Sequence, residues 1–206
     1  MQKDLKQLFY IRGGMTFRDD KDYIDFLKNR KLSIEEKNRW HEKFLKENLI
    51  DYCKIIKPRM PLEDNAKYED WKIHFERYLS LLENEIILIG SSLGGMFLAK
   101  YLSENIISKK IISLYLICPP FDGSNRKYIA GGFDLNSDLS KIEKNCQNIK
   151  ILFSEDDDIV PVSHAKKYEE KLKSAKVIIY KSKNGHFRIK EFPEIVEMIK
   201  NDLKNI

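Results

Sequence analysis

A serine at the centre of a G-x-S-x-G pattern is the first residue whose setting could support chemistry. The pattern is GSSLG at residues 90–94, and Ser92 stands in its middle, after an apolar strand pattern and before a helical one. A serine at such a turn has strained backbone angles and projects its hydroxyl above the sheet. Ser91 fails this register, because Ile89 and Leu93 would then occupy the glycine positions. Small residues at this position could also serve only to form a tight turn. Residues elsewhere in the sequence must therefore decide whether Ser92 is a nucleophile.

A nucleophilic serine needs a base to accept its proton, and the base needs a carboxylate to orient it. Both residue types follow late strands, in "SEDDDIVPVSHA" at 154–165 and "KSKNGHFRI" at 181–189. His186, which follows a flexible Asn-Gly turn, is the candidate base. The acid is ambiguous, because four acidic residues stand in a row from Glu155 to Asp158. Such a run is also typical of a solvated acidic loop, and we expect Glu155 and Asp156 to serve only as solvated charges there.

The other histidines are poorer candidates for a base. His41 and His74 stand inside charged segments with helical patterns, and His164 stands at a predicted helix start, where a surface or capping role is expected. No pair of histidines shows metal-ligand spacing such as H-E-x-x-H. The sequence therefore predicts neither a metal site nor a cofactor.

Composition limits the class of protein. The 206 residues, 42% hydrophobic and 33% charged, favour one domain spanning 1–206. The net charge of +5 is spread along the chain, which predicts a solvated surface and no nucleic-acid partner. With no long apolar run and no signal-peptide core, the expected location is cytoplasmic, away from membranes. The three cysteines are widely spaced, as expected of reduced thiols: Cys53, Cys118 and Cys146.

Strand and helix patterns alternate along the chain. The strand patterns are continuous apolar runs, which indicates a parallel sheet covered on both faces; they are Gln7–Ile11, Tyr52–Lys57, Ile86–Ile89, Ile111–Ile117, Lys150–Phe153 and Val177–Tyr180. Helices are predicted at Tyr23–Leu27, Ile34–Leu49, Leu93–Ser103, His164–Leu172 and Ile195–Leu203, with an apolar stripe from Trp71 to Leu82. Alternation of this kind favours a doubly wound three-layer α/β sandwich, whose ligands bind beyond the carboxyl ends of the strands.

With Ser92, the acidic run before Ile159-Val160-Pro161, and Gly185-His186-Phe187 in that order, the sequence resembles the α/β-hydrolase family. The resemblance covers most of the chain. It implies a mainly parallel six-stranded sheet of order 2-1-3-4-5-6 without a large cap, close to the small serine hydrolases that include retinoblastoma-binding protein nine.

The resemblance also implies roles for individual residues. The family pattern D-x-[IV]-V-P selects Asp157 as the acid, with Asp158 as the alternative. The negative oxygen of a tetrahedral intermediate would be bound by the backbone N–H of Leu93 and by that of Gly14, with Met15 as the alternative. Arg12 stands where many members carry histidine, which leaves the second donor open.

The implied activity is hydrolysis of a carboxylic ester or thioester, with a small ester or acyl compound as the partner. Met96, Phe121, Phe133 and Val160 could line the pocket or serve ordinary packing, and the segment Cys118–Ser137 could cover it. Two other readings stay open. One is a hydrolase fold that only binds, and the other is an anion-binding loop at 90–95, although the phosphate-binding glycine patterns are absent.

Overall fold

A computed structural model describes residues 5–35, 38–123 and 131–205 and contains one six-stranded sheet. All the strand pairs are parallel, and the order across the sheet is β2-β1-β3-β4-β5-β6. Each strand lies within two residues of its prediction at either end. The bounds are β1 Lys6–Ile11, β2 Cys53–Ile56, β3 Glu85–Ser91, β4 Lys110–Ile117, β5 Ile149–Ser154 and β6 Lys176–Tyr180.

Helices cover both faces of the sheet. Along β1, Phe9 and Ile11 belong to one buried cluster, while Leu8 and Tyr10 belong to the other, as the alternation of a strand requires. The first cluster contains apolar residues of α3, α4 and α6, and the second contains those of α2 and α7. The three-layer sandwich is therefore confirmed. The helices are α1 Asp20–Asn29, α2 Lys43–Leu49, α3 Tyr68–Leu79, α4 Leu93–Glu104, α5 Ser140–Asn145, α6 Ser163–Lys171 and α7 Pro193–Lys204.

The predicted helix at Ile34–Leu49 is confirmed only from Lys43, where α2 begins, and is wrong for the described residues before it. Trp40 explains the difference. Its side chain is buried between the rings of Tyr10 and Phe192, and its N–H donates to the carbonyl of Ile189 at 3.0 Å. These tertiary contacts hold the backbone before α2 in a turn, and they override its helical pattern.

The loop after β4 is only partly described, because residues 124–130 of the segment Cys118–Ser137 lie outside the described residues. The prediction that this segment covers a pocket falls partly on them. Beyond the gap, the carbonyl of Gly131 accepts a hydrogen bond from the N–H of Tyr68, and Phe133 is buried against Trp71. The end of the loop is thereby fixed to the start of α3. Among the described residues, no helix is both long and apolar enough to cross a membrane.

The aromatic contacts of α3 predict which of its side chains support the fold. Phe75 is buried, with ring centroids 5.5 Å from Phe9 and 5.0 Å from Tyr101. Phe75→Ala should lower the free energy of unfolding by about 3–5 kcal/mol, because it leaves a cavity in the core. Ile73→Ala, on the exposed face of the same helix, should change it by about 0.5 kcal/mol or less. Urea denaturation followed by circular dichroism measures both, and equal losses would contradict this assignment of the core.

Candidate active site

Ser92 lies between β3 and α4 in a strained conformation. Its φ is +52° and its ψ is −124°, in a region that residues other than glycine rarely occupy. Its N–H donates to the carbonyl of Ile117 at 2.8 Å, so the end of β4 holds the turn in place. Such backbone strain costs on the order of 1–3 kcal/mol and is concentrated at functional sites.

The two glycines of the pattern are required by close backbone contacts. A Cβ at Gly90 would lie 2.5 Å from the carbonyl oxygen of Gly94. One at Gly94 would lie 2.4 Å from the carbonyl oxygens of both Ile11 and Arg12. The loop after β1 therefore packs directly on the start of α4, and any side chain at either glycine would separate them.

This packing places the predicted anion-binding groups beside Ser92. The Cβ position of Gly13 is 3.0 Å from the Cβ of Ser92 and 3.5 Å from its Oγ. Leu93 begins α4, so its N–H has no acceptor within the helix. The N–H of Met15 donates to the carbonyl of Glu63 at 2.8 Å, so it is already used. Among the described residues the N–H of Gly14 has no acceptor, which favours Gly14 over Met15 as the second donor.

His186 contacts Asp157 and not the other acids of the run. Its Nδ1 lies 2.8 Å from Oδ2 and 3.0 Å from Oδ1 of Asp157, whose side chain is fully buried. The N–H groups of Ile159 and Val160 each donate to Oδ1 of Asp157 at 2.8 Å. Asp158 is exposed and forms an ion pair with Arg188 at 2.7 Å. The geometry thus places Asp157, and not Asp158, where it can orient the imidazole.

Asp156 was predicted to be only a solvated charge, but it makes specific hydrogen bonds. Although exposed, its carboxylate accepts from the hydroxyls of Ser154 and Ser182, each at 2.5 Å, and from the N–H groups of Gly185 at 3.0 Å and Lys183 at 3.1 Å. These hydrogen bonds, that of Gly185 first, hold the pKa of Asp156 well below its usual value. Asp156 therefore connects the end of β5 to the loop that carries His186. The sequence offered no signal for this contact.

Ser92 and His186 line the same cavity, yet within the described part of the chain no hydrogen bond joins the Ser92 hydroxyl to the imidazole. Nε2 of His186 lies 3.7 Å from the sulfur of Cys118, a buried residue at the end of β4 with a φ of +42°. Burial raises the pKa of the Cys118 thiol well above its ordinary value, so the thiol is neutral at pH 7. Hydrogen bonds between a nucleophile and its base are often long or poorly aligned before substrate binds, so the missing bond is compatible with a catalytic role for both residues.

Among the described residues, one group of side chains could hold a metal ion. One potential ligand atom from each of Cys118, Asp157 and His186 lies within 4.8 Å of the others. The donors suit a metal poorly, however. Both oxygens of Asp157 already lie within bonding distance of Nδ1 of His186, and the thiol would have to lose its proton in a buried position. The hydrogen-bonded arrangement therefore fits these residues better than a metal centre.

The cavity has a volume of about 570 Å³, and its lining differs from the one predicted. Of the predicted lining residues, Met96, Phe133 and Val160 are buried in the core instead. The lining that sequence analysis missed comes from β1, from the loop after β2 and from the turn before α2; it includes Tyr10, Arg39, Trp40, His41 and Glu63. A larger cavity of about 800 Å³ lies around Cys53 and Lys54 and contains none of the predicted site residues.

Two histidines differ from their predictions. His41 lies in the turn before α2 and not in a helix, and burial followed by the charge of Lys57 lowers its pKa to about 4. His164 is buried, not on the surface, and its Nδ1 accepts the N–H of Phe121 at 2.8 Å. Both follow from packing between segments far apart in sequence, which no local pattern encodes.

A comparison with protein families decides the identity of the chain. Residues 34–202 match a family described as serine hydrolase. The chain belongs to the serine hydrolase family. The match spans most of the sequence, from before α2 to the last turns of α7, and so includes Ser92, Asp157 and His186.

Solved structures show that this serine hydrolase has the α/β-hydrolase fold. It is similar to the ydeN gene product from B. subtilis, with a TM-score of 0.77 and 19% identity over 97% of this chain and 99% of that one. A serine hydrolase involved in carbazole degradation gives 0.63 and 14%, covering 98% and 92%. Alpha/beta hydrolase domain-containing protein 10 from mouse gives 0.59 and 18%, covering 97% and 89%. At such low identities the likeness shows the fold alone. No curated protein matches the sequence.

The contacts of Asp156 predict a pH-dependent contribution to the stability of this serine hydrolase. Because its folded pKa is below the unfolded value of about 3.9, its carboxylate stabilises the fold above that pH, and the contribution is lost as pH falls through the folded pKa. Asp156→Asn should therefore be less stable than the native protein at pH 7, and the difference should shrink between about pH 5 and pH 3.

Urea denaturation at a series of pH values measures this difference. Glu155→Gln is the matched control, since the neighbouring Glu155 is exposed and its side chain has no partner among the described residues. A gap between Asp156→Asn and the native protein that stays constant down to pH 3 would show that the folded pKa of Asp156 is not lowered and that its ionisation does not stabilise the fold.

Proposed function

We propose that this serine hydrolase cleaves a carboxylic ester or thioester through an acyl-enzyme intermediate, with Ser92, His186 and Asp157 as the catalytic triad. One observation carries the proposal: a buried carboxylate holds the imidazole of His186 at the cavity that also contains Ser92. The strained turn at Ser92 supports the same role, because it presents the hydroxyl at the carboxyl end of the sheet.

Each step of the reaction has a group of this chain to perform it. The Ser92 hydroxyl attacks the substrate carbonyl while Nε2 of His186 accepts its proton, and Asp157 stabilises the imidazolium that forms. The N–H groups of Leu93 and Gly14 bind the negative oxygen of the tetrahedral intermediate. His186 then protonates the leaving group, and a water molecule, activated by the same imidazole, releases the acid and restores Ser92.

The proposed substrate is a small ester or acyl compound. Esters and thioesters are favoured over amides, because an alkoxide or thiolate leaves more easily. The closer likeness to the retinoblastoma-binding protein nine group stays a prediction, as do the cytoplasmic location and the absence of a nucleic-acid partner.

A hydrolase fold that binds without turnover is the second candidate. It is favoured by the contact between His186 and Cys118, because a thiol 3.7 Å from Nε2 stands where the base would approach the serine hydroxyl. If that arrangement persisted with substrate bound, Ser92 would lack a base.

Substitution of the triad distinguishes the two candidates. Ser92→Ala should reduce hydrolysis of short p-nitrophenyl esters to background, since no covalent intermediate can form. Asp157→Asn should reduce kcat about 10⁴-fold, because the imidazole would adopt the wrong tautomer. Asp158→Asn is the matched control, and its kcat should change little, because Asp158 contacts Arg188 and not His186.

Steady-state kinetics on folded variants, checked by circular dichroism, provides the comparison. A Ser92→Ala variant that keeps most of its esterase activity would exclude Ser92 as the nucleophile. Absence of hydrolysis by the native protein across an ester and thioester panel would favour the binding function.

A further inference from the structure

Arg39 lines the same cavity as Ser92 and His186, and its guanidinium forms no hydrogen bond or ion pair with any described residue. Two other charged groups of the cavity differ in this respect. Arg188 pairs with Asp158 at 2.7 Å, and Glu63 pairs with Arg12 at 2.9 Å. An arginine side chain has five N–H donors, so Arg39 has unused capacity to bind an anion.

The backbone beside Arg39 is fixed. Trp40 is buried, and its N–H donates to the carbonyl of Ile189 at 3.0 Å, which joins the turn before α2 to the loop that carries His186. The carbonyl of Arg39 itself accepts the N–H of Glu42 at 2.8 Å. Arg39 is therefore presented from a positioned turn, and the ordering of its backbone does not have to accompany binding.

The surroundings of Arg39 disfavour its charge when no anion is bound. Burial, and secondly the positive charge of Arg188, lower the pKa of Arg39. The guanidinium nevertheless stays protonated, as arginine does in proteins. A partly desolvated cation that faces a second cation gains more from an anionic partner than an exposed one does.

The position of Arg39 also indicates which part of a substrate it would meet. In the proposed mechanism His186 returns its proton to the leaving group, so the leaving group must lie against the His186 loop. Arg39 and Arg188 belong to that part of the lining. The acidic residues Glu63 and Asp64 belong to the part that contains Met15, since the N–H of Met15 donates to the carbonyl of Glu63 at 2.8 Å. Arg188 pairs with Asp158, and Glu63 pairs with Arg12. The charges of the lining without an ion pair among the described residues are thus Arg39 on the His186 side and Asp64 on the other. An anion is therefore attracted to the His186 side and repelled from the side of Asp64.

We propose that Arg39 determines specificity by binding a carboxylate on the leaving group of the ester. The proposal rests on the proposed function of the site and adds a substrate class to it: esters whose alcohol or thiol portion carries a negative charge. Arg39 binds this carboxylate through paired N–H groups, while the triad acts on the carbonyl.

Two matched esters test the proposal: phenyl acetates that carry either a para carboxylate or a para carboxamide. For each protein, the ratio of kcat/KM for the anionic ester to that for the neutral ester is measured and divided by the ratio of their uncatalysed rates. In Arg39→Gln this ratio should fall about 10- to 100-fold, the loss expected for a hydrogen-bonded charge pair. The change should be mainly in KM, and hydrolysis of the neutral ester should change little.

Arg59→Gln is the matched control, because Arg59 is exposed and outside this cavity, and its ratio should equal that of the native protein. A second measurement needs no turnover. Calorimetry measures the binding of the product 4-hydroxybenzoate to Ser92→Ala and to the double variant Ser92→Ala/Arg39→Gln, and the double variant should bind it more weakly. The proposal would be overturned if the native protein and Arg39→Gln gave the same kcat/KM ratio and if 4-hydroxybenzoate bound equally with and without Arg39. Hydrolysis of the neutral ester would in that case still support the triad. Failure of the native protein to hydrolyse either ester would instead count against the proposed function.

Discussion

The arrangement of the site depends on one close contact between backbones. At Gly94 the chain approaches the carbonyl oxygens of Ile11 and Arg12 so closely that no Cβ fits between them. This contact joins the loop after β1 to the first turn of α4, and Ser92 lies at the start of that turn with a positive φ. The Ser92 hydroxyl, the first N–H of α4 and a glycine loop are therefore fixed together by the packing of two main-chain segments. The flanking sheet stabilises the strained turn, since Gly90 pairs with the ends of both neighbouring strands and Ser91 pairs with the end of β4.

The parallel sheet brings the remaining groups to the same place. All strands end at one edge, so the loops after β3, β5 and β6 meet there although Ser92 and His186 are far apart in sequence. Asp157 stays at the end of β5 because two backbone N–H groups bind its carboxylate, and Asp156 fastens the loop of His186 to the same strand. Adjacent acids thus do different work: Asp157 contacts the imidazole, and Asp156 holds the loop that presents it.

Sequence patterns predicted the elements that local chemistry determines. The six strands were recognisable because a sheet covered on both faces requires continuous apolar runs, and the turn at Ser92 was recognisable because its glycines have no substitute. Features that depend on contacts between distant segments were missed. The predicted helix begins only at Lys43 because Trp40 is buried against β1 and α7. Packing of the same kind half-buries His41 and buries His164. The approach of Cys118 to His186 likewise depends on how the loop after β6 crosses the end of β5 to reach the end of β4.

The central claim is that Ser92 is an activated nucleophile, and covalent labelling tests it most directly. The native protein would be treated with a fluorophosphonate beside an established serine hydrolase, and the modified peptide would be mapped by mass spectrometry. The account predicts a single adduct on Ser92 that is greatly slowed in His186→Ala. A folded native protein that stays unlabelled while the established enzyme reacts, or an adduct on Ser91 or another residue, would contradict it.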